Sequence, residues 1–121
     1  MKPNNRPLSP HLQIYKLPLT GIVSITHRMT GTLLALGLIV YVISFFILLQ
    51  GNTDLQTFQS LFEFTLARLI VWLFIFSLFF HFCHGIRHLI WDIGWGFAKI
   101  DMNKLAVIEI VCALILTLIC Y

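Results

Sequence analysis

Three long apolar runs dominate the chain, each interrupted or closed by polar residues. The first extends from about Gly21 to Leu49. Its second half, Leu33 to Leu49, is almost wholly apolar, whereas its first half carries Ser24, His27, Arg28, Thr30 and Gly31. The second runs from about Leu66 to Trp91 and the third from about Leu105 to Tyr121. An α-helix rises ~1.5 Å per residue, so roughly 20 apolar residues cross the hydrocarbon of a bilayer. The pattern therefore predicts three spanning helices, the first long enough to tilt or protrude and the third near the lower limit. Gln50-Gly51-Asn52-Thr53-Asp54 is a cluster of turn formers that closes the first helix. Gly94-Trp95-Gly96 closes the second, with tryptophans suited to a membrane interface. Leu55 to Thr65 reads as an amphipathic or interfacial lead-in, Arg68 can snorkel just after it, and Phe97 to Lys104 reads as a short loop. Pro3, Pro7, Pro10 and Pro18 forbid a continuous helix over residues 1–18, and Pro18 with Thr20 offers a helix start.

Composition turns this pattern into a class. The 121 residues are 59% hydrophobic and 11% charged, with a mean hydropathy of +0.90. Soluble domains are typically about 45–50% apolar and about 25% charged. The expectation is an all-α integral membrane protein: one anchor domain over residues 1–121, with no separate soluble domain. The formal charge of +3 is modest and spread over the ends of the apolar runs, which argues against nucleic-acid binding and for contact with lipid. Lys2, Arg6 and Lys16 precede the first span, Lys99 and Lys104 lie between the second and third, and Gln50 to Leu66 holds no Lys or Arg. The positive-inside rule then places the N-terminus inside and the C-terminus outside. Cys83, Cys112 and Cys120 lie within apolar runs without a C-x-x-C pair, so they read as small buried hydrophobes. The first sixteen residues match neither a secretory signal nor a transit peptide, so insertion through the first span is expected.

Candidate chemistry lies in two polar clusters. Ser24, His27, Arg28 and Gly31 are spaced i, i+3, i+4, i+7 on one helix face. Arg28 sits about 15 Å into its helix, deeper than snorkelling explains well, and the group suits an anionic or carbonyl-bearing ligand. The alternative is a serine bonded to its own backbone, with His27 and Arg28 binding lipid phosphate. Gly21 and Gly31 would let a helix or a flat cofactor approach closely. The second cluster, His81, His84, Gly85, His88 and Asp92, also shares one face. His81 is the deepest ionisable group, and an imidazole is the commonest nitrogen ligand for metals and haem iron. One histidine supplies one axial position. Spans one and three offer none of comparable depth, which points to a partner subunit for the other. Alternatively, His81 is a buried neutral histidine bonded to a carbonyl on a facing helix. His84 and His88 form an H-x-x-x-H pair that lacks a nearby carboxylate on another span to complete a metal site. Asp92 lies where the helix dipole disfavours a carboxylate, so a cationic partner is expected, with His88 or Arg87 the local candidates. The alternative is an interfacial ion pair that merely ends the helix.

Arg6-Pro7-Leu8, then Ser24-x-x-His27-Arg28-x-Thr30-Gly31, then His81-x-x-x-Gly85-Ile86-Arg87-His88-x-x-x-Asp92-x-Gly94, resemble the cytochrome b556 membrane-anchor subunits of succinate dehydrogenase, respiratory complex II. The resemblance covers about residues 6–121, with the motifs in the family's order. It implies that three spans form part of a heterodimeric haem-binding helical bundle. His81 matches the family's axial ligand to haem b, the opposite ligand coming from a second anchor subunit. Ser24 and Arg28 match its ubiquinone-site residues, near the iron–sulfur subunit. His27 and Arg28 match its haem-propionate contacts. His84 is an additional histidine beside the matched ligand, and the sequence alone leaves it open as the iron ligand. The chain has no dinucleotide fingerprint and no cluster-binding cysteine pattern, so FAD and iron–sulfur clusters belong in flavoprotein and iron–sulfur partner subunits.

The expected function is the membrane anchor of a succinate:ubiquinone oxidoreductase, in a bacterial inner or mitochondrial inner membrane. Alternatives are the anchor of a quinol:fumarate reductase, a haem-free anchor in which His27, His81 and His88 satisfy one another, and a non-redox transporter or assembly subunit whose polar clusters line an ion path.

Overall fold

Lipid offers backbone N–H and C=O groups no partner except one another, so long apolar runs become helices. The computed structural model describes residues 16–51 and 54–120; of the irregular segment expected over residues 1–18, residues 1–15 lie outside the described residues. Helix α1 spans Leu19–Leu49. A short helix α2, Leu55–Ser60, continues into a 3-10 turn over Leu61–Glu63. Helix α3 spans Thr65–Asp92 and helix α4 Lys99–Cys120. α1, α3 and α4 are each long and apolar enough to cross a membrane. No strand occurs among the described residues, and the fold is the all-α, three-span arrangement.

The helix ends follow local chemistry. Pro18 is extended (φ −67°, ψ 155°) and starts α1, its carbonyl accepting from Gly21 N–H at 2.9 Å. Gly51 ends α1 at φ +67°, a left-handed conformation that a side chain disfavours. Asp54 caps α2, its carboxylate accepting from Thr57 N–H at 3.1 Å. The Thr57 hydroxyl and N–H together hold that carboxyl below its usual range. The loop after α3 is shorter than the pattern suggests, because α4 begins at Lys99, inside the stretch expected to be loop. Hydropathy marks where lipid begins, and the helix extends beyond it. Asp101 in its first turn meets the positive end of the helix dipole.

α3 is the middle helix and packs against both α1 and α4, which touch each other less. The interior is inverted relative to a soluble bundle. Its buried apolar residues are Val23, Phe80, Ala106 and Ala113, whereas Thr30, Ser77, His84, Arg87, Glu109 and Thr117 are buried polar groups. Most large apolar side chains face outward, Leu38 at 61% exposure among them. That surface is stable only against lipid or protein. Two glycines set the approach of α1 to α3. A Cβ on Gly37 would run into the ring of Phe74, and one on Gly31 would lie 3.0 Å from His81 Cε1.

Candidate functional site

The two polar clusters meet where α1 crosses α3. The His27 ring lies between those of His81 (centroids 4.0 Å apart, 16° between planes) and His84 (4.1 Å, 27°). His88 stands tilted at 5.8 Å from His27. The Nδ1 of His81 is 3.2 Å from the His27 carbonyl oxygen and 3.4 Å from Thr30 Oγ1. The Thr30 hydroxyl donates to that same carbonyl at 2.8 Å. Both groups around His81 Nδ1 can therefore accept. The consistent tautomer carries its proton on Nδ1 and a lone pair on Nε2. Gly31 makes room for this ring, so its close approach serves a histidine of the same chain.

His84 occupies a different environment. It is fully buried, and its Nδ1 lies 2.7 Å from Glu109 Oε1 on α4. Arg87, one turn further along α3, places Nη1 3.0 Å from Glu109 Oε2, an ion pair with both side chains 3% exposed. The Arg87 guanidinium also lies over the Trp91 ring at 4.7 Å, and His88 meets that ring edge-on at 5.2 Å. One carboxylate thus ties two α3 side chains to α4. The pairing is one of charge and proximity, which offsets part of the burial cost, since the Arg87 nitrogens and Glu109 Oε2 make no hydrogen bond among the described residues.

Glu109 is the site residue that the sequence pattern failed to single out. The signal was present: a lone carboxylate within the third apolar run calls for a donor on another helix. His84 and Arg87, at i and i+3 on the second span, are those donors. The His84–His88 pair therefore does have a carboxylate nearby on another span, contrary to expectation. The ligand nitrogens of His27, His84 and His88 lie within 4.8 Å of one another. Yet the His27 and His84 rings are stacked. An ion bound by both would sit well out of each ring plane, where an imidazole has no lone pair. The Nε2 atoms of His27 and His84 are buried and have no hydrogen-bond partner among the described residues.

The remaining expected site residues stand apart. Ser24 is half-buried and Arg28 exposed, and the side chain of neither has a hydrogen-bond or ion-pair partner among the described residues. The first cluster thus divides, with His27, Thr30 and Gly31 turned toward α3 and Arg28 directed away from the bundle. Asp92 is exposed, and its expected cation is otherwise engaged, since Arg87 pairs with Glu109 and His88 packs on Trp91. Gly85, one turn beyond His81, borders open space, for a Cβ placed there meets no atom within 4 Å. The three cysteines are free.

A family model described as succinate dehydrogenase/fumarate reductase transmembrane subunit matches residues 2–120. A succinate dehydrogenase cytochrome b556 subunit of Rickettsia felis is 37% identical over 118 residues, covering 96% of this chain and 90% of the relative. A succinate dehydrogenase cytochrome b560 subunit of Reclinomonas americana is 37% identical over 126 residues, covering 97% and 85%. A mitochondrial cytochrome b560 subunit of Sus scrofa is 39% identical over 111 residues, covering 89% and 65%.

Proposed function

The chain belongs to the succinate dehydrogenase/fumarate reductase transmembrane-subunit family, and from that premise we propose that it is the membrane anchor of a succinate:ubiquinone oxidoreductase. In this reading it holds haem b together with a second anchor subunit and forms part of the ubiquinone-reducing site. It spans a bacterial inner or mitochondrial inner membrane with its N-terminus inside. The flavoprotein and iron–sulfur subunits carry FAD and the clusters, and succinate is oxidised there.

The observation that carries the haem assignment is the environment of His81. Its Nδ1–H is held by the His27 carbonyl, which orients the ring and leaves the Nε2 lone pair for a ligand. Metal-binding histidines are oriented in this way, with the second ring nitrogen donating to a carbonyl or carboxylate. The carbonyl bond expected of a merely structural histidine is present too, but here it prepares the other nitrogen. His81 is only half-buried, and the space beside Gly85 is left unfilled by this chain. These residues fit a flat group shared with another subunit. His81 would supply one axial ligand, and His27 with Arg28 would contact the propionates. The Nε2 of His27 is unpartnered but buried, so a carboxylate would satisfy it once the ring turns outward. Bound haem b supplies a one-electron reservoir beside the quinone site.

Ser24 and Arg28 carry the quinone chemistry. Reduction of ubiquinone to ubiquinol takes up two electrons and two protons. The Ser24 hydroxyl donates a hydrogen bond to a quinone carbonyl oxygen, orienting the ring and polarising the bond that gains charge. The Arg28 guanidinium stabilises negative charge as it develops on that oxygen. Arg28 has no partner among the described residues, so its charge remains available to a group outside this chain. Protons arrive from the inner aqueous side, and the apolar outer halves of α1 and α3 restrict water from the other.

A reduced-minus-oxidised optical spectrum of the purified complex tests this reading. The expected result is a b-type signal with bis-histidine character. Absence of haem would overturn the His81 assignment.

A further inference from the structure

The second motif places two histidines three residues apart, each with an Nε2 lone pair when Nδ1 carries the proton. A haem shared with a second subunit would be held by one of them from this chain. Their offset is about 4.5 Å along the helix and about 60° around it, small enough for side-chain rotation to bridge in part. Something must keep the second imidazole out of competition. We propose that Glu109 is that positioning residue: by holding His84 Nδ1–H on α4, with Arg87 ion-paired to its other oxygen, it withdraws His84 from the haem face and leaves that face to His81, the accessible member of the pair. The inference rests on the assignment of His81 as a haem ligand.

Three observations support it. His84 is fully buried, whereas His81 is half-buried, so of these two only His81 meets an incoming group without rearrangement. The His84 Nε2 is buried with no partner, so its ligating capacity is unused rather than consumed by another bond. The tether is short, 2.7 Å, and ionic on its far side, where Arg87 lies 3.0 Å from the same carboxylate. Glu109 touches neither His81 nor the quinone residues by any hydrogen bond or ion pair among the described residues. It acts through His84 alone.

The test removes the tether without stranding a buried charge. Arg87→Leu/Glu109→Leu replaces the ion pair with apolar groups, a change that membrane and protein interiors tolerate. Electron paramagnetic resonance of the oxidised haem in the purified complex is the readout. The expected result is a second low-spin species. The ratio of the two ligation states should shift by about 10- to 100-fold, the amount that one charge-assisted hydrogen bond contributes. Adding His84→Phe should abolish the second species and restore the single wild-type signal. Persistence of the second species in that triple variant, or a wild-type signal in the double variant, would overturn the proposal. In the Arg87→Leu background, which leaves no buried cation to strand, Glu109→Gln keeps an acceptor for His84 and should retain the wild-type signal, whereas Glu109→Met removes the acceptor and should produce the second species. Failure of both the double variant and Glu109→Met to assemble, with Glu109→Gln assembling poorly as well, would make the role structural and sink the idea. His81→Tyr in the native background separates the two layers. If it leaves the haem signal unchanged, the axial-ligand assignment itself fails, whatever Glu109 does.

Discussion

The two faces of α3 treat polar groups in opposite ways. On the α4 side, His84 and Arg87 meet Glu109 within the chain, and small residues such as Ala106 and Ala113 let the helices close. On the α1 side, His81 is only oriented, His27 keeps an unpartnered nitrogen, and Gly85 opens onto empty space. A buried polar group in a membrane costs several kcal/mol unless paired. The closed face meets that requirement in part: His84 Nδ1 is joined to Glu109, while His84 Nε2 and the Arg87 guanidinium nitrogens have no hydrogen bond among the described residues. The open face has deferred it to something the chain does not contain. The lesson is that depth and charge alone do not mark a ligand site. What marks it is an oriented polar atom that an incoming group can reach, as at half-buried His81 and not at fully buried His84.

Substitutions should separate the two faces. The largest effect is expected outside both, at Arg28. Arg28→Leu should lower quinone reduction by about 100-fold or more, the scale of losing one charge-stabilising group. Succinate oxidation by a soluble artificial acceptor, assayed in the same membranes, should stay near its wild-type rate. Parallel loss of both activities would move Arg28 from the quinone pocket to assembly. On the open face, His81→Tyr should remove the bis-histidine haem signal, whereas His84→Asn on the closed face should retain it. The optical spectrum decides between them, and the reverse outcome would exchange the roles of the two faces.

Stability should respond in the opposite sense. Glu109→Leu alone strands Arg87 and should destabilise the subunit by about 3–5 kcal/mol, whereas the paired Arg87→Leu/Glu109→Leu change should recover most of that loss. Thermal inactivation in detergent measures both. The smallest effects belong to the glycines. Gly31→Ala brings a Cβ to 3.0 Å from the His81 ring and should shift the haem band while costing about 1–3 kcal/mol. Gly85→Ala meets nothing within this chain. A shift in the haem band there would show that the open space is filled in the complex, and an unshifted band would show that it is not.

Much of this architecture is legible without coordinates. Runs such as Leu33 to Leu49 and Leu66 to Phe80 have one stable conformation in lipid, because only a helix satisfies their backbone internally. Gly51 and Gly94 mark helix ends because left-handed backbone favours glycine, and both are left-handed here, at φ +67° and +88°. The one misplaced boundary, the start of α4, reflects a signal that reports lipid rather than hydrogen bonding. What only the tertiary structure decides is partnership. His81 and His84 differ by about 60° around one helix, and the pattern of residues along α3 does not say which neighbour lies at either angle. That depends on how α1 and α4 pack, which Gly37, Gly31 and Ala106 control through volume rather than charge. Packing set Arg87 against Glu109 instead of Asp92, left Arg28 facing outward, and gave two histidines of the same motif different fates.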